Sequence, residues 1–111
     1  MLGYNENYAV GLTAAGSTLA TALALNAKCN VVGTVAASTG VSLPSGALPG
    51  DVVYVSNGGA NALSVYPPTS AGTINGGSAG AAVSLATTTY KTKNSIFLSL
   101  GGDNWIQFVG A

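Results

Sequence analysis

Short runs rich in β-branched and aromatic residues alternate along this chain with clusters of glycine, proline and asparagine. The runs recur roughly every 8 to 12 residues, a spacing typical of an all-β sandwich or barrel. The clearest runs lie at residues 31–35, 40–44, 51–56, 62–66, 81–85, 95–100 and 105–109. We therefore predict an all-β fold, a compact β-sandwich of jelly-roll type with about eight short strands.

Two of the turns between these runs have the composition of β-hairpins. Residues 57–61 join the runs at 51–56 and 62–66 and begin with Asn-Gly, the strongest short hairpin signal. Residues 101–104, Gly-Gly-Asp-Asn, join the last two runs in the same way. The Asn-Gly-Gly of residues 75–77 repeats the first turn, which we interpret as turn chemistry rather than a repeat architecture, because a repeat fold needs three or more units.

Residues 17–25 carry a weaker strand pattern. Leu19, Thr21, Leu23 and Leu25 fall on one side of an extended chain, and small residues fall on the other. This alternation predicts a strand, although alanine and leucine intrinsically favour a helix.

The first residues differ from the rest. We predict an extended N-terminal arm at residues 1–13 and a single β domain at residues 14–111. The arm carries apolar surface that a solvated tail would not need, supplied by Tyr4, Tyr8, Val10 and Leu12. Gly11 and the small residues at 14–16 provide a hinge. We expect the arm to bind a neighbouring chain rather than its own core; the alternative is a frayed terminus or a first edge strand.

Charged side chains are scarce. The chain has three basic and three acidic residues among 111, and no histidine. General acid–base catalysis needs positioned titratable groups, so we predict a protein that is not an enzyme, with no catalytic residue and no cofactor. A net charge of zero leaves no basic footprint for nucleic acid. Soluble monomers usually carry about a quarter of their surface as charge, so we expect partners to cover part of this one.

Asp51 and Asp103 are the obvious candidates for a carboxylate pair. Each follows a glycine near the start of a strand or turn, where aspartate commonly accepts hydrogen bonds from local backbone N–H groups. A glycosidase would need a sugar-binding cleft as well, and Trp105 is the one hint of a platform. We predict structural roles for both aspartates, no metal site, and a core or interface position for Trp105 with its indole N–H hydrogen-bonded.

The single cysteine and two of the lysines are the remaining candidates for a structural or a functional role. Cys29 lies in an apolar run and is expected to be a small buried hydrophobe. Lys91 and Lys93 fall on one face of a predicted strand. They either meet an acidic partner surface or protect an edge strand from pairing with other chains.

Targeting and membrane signals are not evident. The opening residues lack a basic region before an apolar stretch. No run reaches the roughly 18 apolar residues that a membrane-spanning helix needs. We expect synthesis in a cytosol and no membrane partner.

Several segments resemble a pattern found in small virion proteins of tailed bacteriophages. They are Gly-Val-Ser-Leu-Pro at residues 40–44, the stretch at 49–67 with its Gly-Asp and Asn-Gly-Gly-Ala-Asn-Ala-Leu motifs, Thr-Ile-Asn-Gly at 73–76, Ala-Val-Ser-Leu at 82–85, and Trp105. The resemblance covers residues 12 to 109. The shared residues look structural, so no functional residue carries over.

The resemblance implies a structural protein of a phage particle, a capsid decoration (cement) protein that stabilises the assembled head by binding between capsomers. Such proteins are often trimers, so we expect a homotrimer whose partner is the major capsid protein or another virion protein. It would be made in the host cytoplasm and join the virion. Similar β domains occur in head fibres and tail appendages. The alternative is therefore a module that binds a receptor or glycan, with Tyr66, Tyr90 and Trp105 as exposed stacking platforms.

Overall fold

A computed structural model describes residues 8–87 and 93–109 of the chain. Within these residues the chain forms two β-sheets and one short 3₁₀ helix, Leu19–Thr21. The strands are β1 (Tyr8–Thr13), β2 (Leu23–Ala24), β3 (Cys29–Thr34), β4 (Gly40–Ser42), β5 (Val52–Asn57), β6 (Leu63–Tyr66), β7 (Thr73–Ile74), β8 (Val83–Leu85), β9 (Asn94–Gly101) and β10 (Asn104–Val109). The predicted all-β class is confirmed. Among the helices of the described residues, none has the length and apolarity to cross a membrane.

The first half of the chain alternates between the two sheets. Strands β1, β3 and β5 lie side by side and parallel in the larger sheet, and β2, β4 and β6 do the same in the smaller one. The backbone thus winds three times between the sheets, although the sequence shows no repeat. Jelly rolls are built from antiparallel strands, so the predicted jelly-roll topology is not confirmed.

The second half of the chain completes both sheets. Strands β9 and β10 form an antiparallel hairpin, and β9 also pairs antiparallel with β5. The larger sheet has the order β1-β3-β5-β9-β10-β7, and the smaller sheet has the order β2-β4-β6-β8. The predicted hairpin at residues 95–109 is confirmed. Its turn uses positive φ angles at Gly101, Gly102 and Asp103, which aspartate tolerates better than most residues with a side chain.

Side chains from both sheets meet in one core. The most deeply buried are Val32, Val55, Phe97 and Trp105 from the larger sheet, and Val41, Leu63, Val65 and Leu85 from the smaller sheet. Burial alternates along β5 and β9, so every second residue of these strands points inward.

The predicted hairpin at residues 51–66 is wrong. Strand β5 belongs to the larger sheet and β6 to the smaller, so residues 58–62 cross between sheets. A two-residue Asn-Gly hairpin turn needs positive φ at both central residues, and neither Asn57 nor Gly58 is among the residues with positive φ. Instead, the N–H of Gly58 continues the parallel ladder by donating to the carbonyl of Val32 at 2.8 Å.

Asn57 holds this crossing together. Its side chain is fully buried, and its Nδ2 donates to the carbonyls of Asn61 at 2.9 Å and Leu85 at 3.0 Å. Its Oδ1 accepts the N–H of Gly59 at 3.0 Å. Because buried backbone groups must be hydrogen-bonded, this one amide satisfies three of them where the chain leaves the larger sheet.

The strand predicted at residues 17–25 is broken. Only Leu23–Ala24 is extended in a sheet, and it follows the 3₁₀ helix. The N–H groups of Thr21 and Ala22 both donate to the carbonyl of Thr18, at 3.1 and 3.0 Å, and the hydroxyls of Thr18 and Thr21 lie 2.9 Å apart. These local hydrogen bonds compete with a sheet ladder and outweigh the alternating pattern.

The N-terminal arm is also corrected in part. Residues 8–13 form β1, an edge strand paired in parallel with β3, and Leu12 packs against the core. The expectation that residues 1–13 avoid their own domain is therefore wrong for residues 8–13, because the free edge of β3 supplies hydrogen-bond partners within the chain. Gly11 lies inside β1, where the pairing with β3 shifts register, and so it is not a hinge between an arm and the domain. Residues 1–7, with Tyr4, lie outside the described residues.

Replacing the amide at the crossing should weaken the fold. Asn57→Ala leaves the carbonyls of Leu85 and Asn61 without their donor, and we expect the free energy of unfolding to fall by about 2 kcal/mol, since a buried unsatisfied group costs about 1–3 kcal/mol. Asn26→Ala, at an exposed position, should change it by less than about 0.5 kcal/mol. Urea denaturation followed by tryptophan fluorescence measures both. Equal effects would show that Asn57 does not hold the crossing.

Candidate interaction surface

A row of apolar side chains crosses the outer face of the larger sheet. Strand pairing places Tyr8 beside Cys29, Cys29 beside Tyr54, Tyr54 beside Ile96, and Ile96 beside Phe108. Tyr54 and Ile96 alternate with buried neighbours, so they point away from the core. Strand pairing keeps Tyr8, Cys29 and Phe108 on the same side of the sheet. The row spans five neighbouring strands and contains no charged residue.

Further apolar residues extend the row on both sides. Val52, Leu98 and Ile106 form a second cross-strand line, while Val10, Val31 and Leu100 are exposed on β1, β3 and β9. Every large hydrophobic side chain that is exposed among the described residues, except Leu48, lies on a strand of the larger sheet. We call this surface, formed by the row and these flanking residues, the apolar face.

The outer side of the smaller sheet has the opposite character. Its cross-strand line runs from Gly40 through Ser64 to Ser84, and the serine side chains face outward. Small and hydroxylated residues on this side are suited to water. The two outer surfaces therefore differ in chemistry, although they belong to one small domain.

The charged residues in the described part of the chain lie at strand ends. Lys28 precedes β3, Asp51 precedes β5, Lys93 precedes β9, and Asp103 lies in the β9–β10 turn. Charge on a sheet face would oppose burial against another surface. Because these charged residues lie at strand ends, they do not oppose burial of the apolar face.

The sheet edges are protected by means other than charge. Strands β2 and β7 at two of the edges have only two residues each, and β8 has three. Strand β1 carries register irregularities around Gly11. Short edge strands and bulges discourage strand addition, so the uncovered surface of this domain is a face and not an edge.

The two aspartates anchor a loop. Oδ2 of Asp51 accepts the N–H of Leu48 at 2.9 Å, and Oδ1 of Asp103 accepts the N–H of Gly46 at 3.3 Å. The predicted hydrogen bond to local backbone is confirmed for Asp51, whereas Asp103 bonds a distant part of the chain. The loop that they hold borders an open cavity of about 480 Å³, which Lys28 and Trp105 also line. No cluster of three or more histidine, cysteine, aspartate or glutamate side chains suited to a metal occurs within residues 8–87 and 93–109.

Trp105 is confirmed as a core residue. Its side chain is fully buried between the sheets, yet its indole N–H has no hydrogen-bond partner among the described residues, so the predicted bond is absent there. Tyr66 is half-buried and its hydroxyl donates to the carbonyl of Ser17 at 3.0 Å. Neither ring offers a free stacking face of the kind a sugar would need. Tyr90 lies outside the described residues.

The predicted partner-binding residues are dispersed. Tyr8 and Val10 lie exposed on the apolar face, whereas Leu12 packs inward. Lys91 falls outside the described residues. Lys93 comes just before β9, which lies between β5 and β10, so the interpretation that it protects an edge strand is wrong.

Cys29 is only half-buried, which corrects the prediction that it lies in the core. It is the first residue of β3 and points outward, within the row. The inward position next to it is taken by Asn30, whose Nδ2 donates to the carbonyl of Ala27 at 2.9 Å.

Sequence reasoning missed three residues of the apolar face, which are Tyr54, Ile96 and Phe108. The signal was present, because the runs at 51–56 and 95–100 are apolar at consecutive positions instead of alternating. Strands that are covered on both sides have this nearly continuous apolar character.

Comparison of the chain with protein-family models, with curated proteins and with solved structures finds no match. The interpretation of the apolar face therefore depends on its own geometry and chemistry.

Burial of Trp105 leads to a stability prediction. Trp105→Ala should lower the free energy of unfolding by about 3–5 kcal/mol, the usual range for removing a large aromatic side chain from a core. Leu48→Ala, at a position that is 68% exposed, should change it by less than about 0.5 kcal/mol. Urea denaturation followed by circular dichroism compares the two variants. A similar small effect for both would contradict the core position of Trp105.

Proposed function

We propose that this protein is a non-enzymatic structural component of a tailed-phage particle, a capsid decoration (cement) protein. In this proposal it binds between capsomers as a homotrimer, with the major capsid protein as its partner. The observation that carries the proposal is the apolar face, a surface of a nearly uncharged domain that is suited to being covered by protein. The resemblance of residues 12 to 109 to small virion proteins is the reason for proposing a phage particle.

The mechanism requires no reacting group. A protein that binds only the assembled shell stabilises that shell by its binding free energy, and the effect is repeated over many copies. The two aspartates are used as loop anchors, which agrees with a scaffold whose loops must keep their shape.

The alternative, a head-fibre or tail appendage that binds a receptor or glycan, has less support. Sugar recognition combines an exposed ring with convergent polar groups. The exposed rings of Tyr54 and Phe108 lie beside Ile96 instead, and that of Tyr8 lies beside Cys29, while Trp105 is buried. An aromatic and aliphatic surface of this kind is better suited to another protein.

Removing the protein from particles tests the proposal. Particles that lack it should package DNA but lose resistance to heat or to a chelator, and adding the purified chain to them should restore that resistance. The fraction of infectious particles that survives a heat step is the measurement. The Ser84→Lys variant, changed on the outer side of the smaller sheet, serves as an added-back control. If particles without the protein are as stable and as infectious as the wild type, the cement function is excluded.

A further inference from the structure

The central strands of the larger sheet are apolar on both sides, although residues 8–87 and 93–109 cover only one of them. In β5, Val53 and Val55 are buried while Val52 and Tyr54 face outward, and in β9 Phe97 is buried while Ile96 faces outward. Strands of this composition are normally covered on both sides. The outer side of the smaller sheet, with Ser64 and Ser84, has no such mismatch.

We propose that further copies of this chain cover the apolar face, so that it is the interface of a homo-oligomer. The proposal depends on the proposed function in one respect, the expected number of copies, which is three in a homotrimer. Self-association of the purified chain is measured without particles. Its failure would therefore leave the cement function standing, and a failed particle test would leave the interface standing.

The area of the apolar face fits this role. Tyr8, Tyr54 and Phe108 are 59%, 41% and 50% exposed, and full burial of an aromatic ring removes about 150–250 Å², so these three contribute about 300 Å². The aliphatic residues of the face raise the total to about 500 Å². A standard interface buries about 800 Å² on each partner, of which about 60% is apolar. The apolar area of the face therefore matches the apolar area that a standard interface buries on each partner.

The chemistry favours a second copy over a charged partner. No charged residue lies among the residues of the apolar face, so nothing on it would select an acidic or a basic surface. The chain's net charge of zero also means that copies do not repel one another.

The order of residues in the row makes it complementary to itself. Aromatic rings occupy both ends and the middle, at Tyr8, Phe108 and Tyr54. With Tyr54 close to a symmetry axis, the half that carries Cys29 meets the half of the next copy that carries Ile96. Three copies arranged with this face toward a common axis bring the same halves together.

Cross-linking tests this arrangement. Within one chain, Cys29 and Ile96 are separated by β5, hence by two strand spacings or about 9.6 Å, whereas disulfides need Cα atoms within about 6.8 Å. A disulfide in the Ile96→Cys variant therefore has to join two chains. We expect oxidation of this variant to give covalent oligomers on a non-reducing gel, and Ser84→Cys to give at least about tenfold fewer. Equal yields from the two variants would overturn the proposal.

Sedimentation of uncross-linked chains supplies the second measurement. Wild type should associate reversibly, and Tyr54→Lys should raise the concentration at half-association by at least about tenfold, because it places a charge at the interface centre. Tyr54→Thr, which replaces the ring by a β-branched residue that is also favoured in strands, should weaken association as well, while Ser84→Lys should not. Trp105 fluorescence reports that each variant is folded.

Three further results would overturn the proposal. The first is a wild-type chain that stays monomeric at the highest concentration reached, and binding of such a monomer to phosphatidylcholine vesicles would reassign the apolar face to lipid. The second is a monomer that associates only after residues 1–7 are deleted, which would assign the face to the chain's own N-terminal segment. The third is equal weakening of association by Ser84→Lys and Tyr54→Lys.

Discussion

The pairing of β5 with β9 joins the two halves of this domain. Strand β5 is the last of the parallel group β1-β3-β5, and β9 begins the antiparallel hairpin that completes the larger sheet. The inward residues of the pair, among them Val55 and Phe97, form the centre of the core. Their outward neighbours Tyr54 and Ile96 form the centre of the apolar face. The same pairing therefore builds the fold and forms the centre of the apolar face.

A nearly uncharged chain must satisfy its buried backbone groups and protect its sheet edges largely without charged side chains. Asn57 supplies hydrogen bonds where the backbone leaves the larger sheet, and the two aspartates hold the loop that contains Leu48. Short edge strands protect the sheets without lysines. Among the described residues these devices leave one large surface uncovered, and its apolar chemistry is the basis of the proposed function in assembly.

The candidate surface was only partly predictable. Tyr8 and Val10 were expected to contact a partner, and both are exposed on the apolar face. The sequence predicts a free arm for them because it does not show that β3 lies beside them. Tyr54, Ile96 and Phe108 come from three separate strands, and they become neighbours only through the register of β5, β9 and β10. Such long-range pairing depends on the whole chain, so no local pattern contains it.

The sequence by itself determined the all-β class, most strand positions and the last hairpin, because β-branched runs and Gly-Gly-Asp turn chemistry act over a few residues. Tertiary structure decided the rest. The Asn-Gly segment at the end of β5 begins a crossing between sheets because the side chain of Asn57 donates to the buried carbonyl of Leu85. Strands β1, β3 and β5 became parallel because the chain returned to the same sheet after each visit to the other. Both outcomes depend on contacts between residues that are distant in sequence, and only the folded chain brings those residues together.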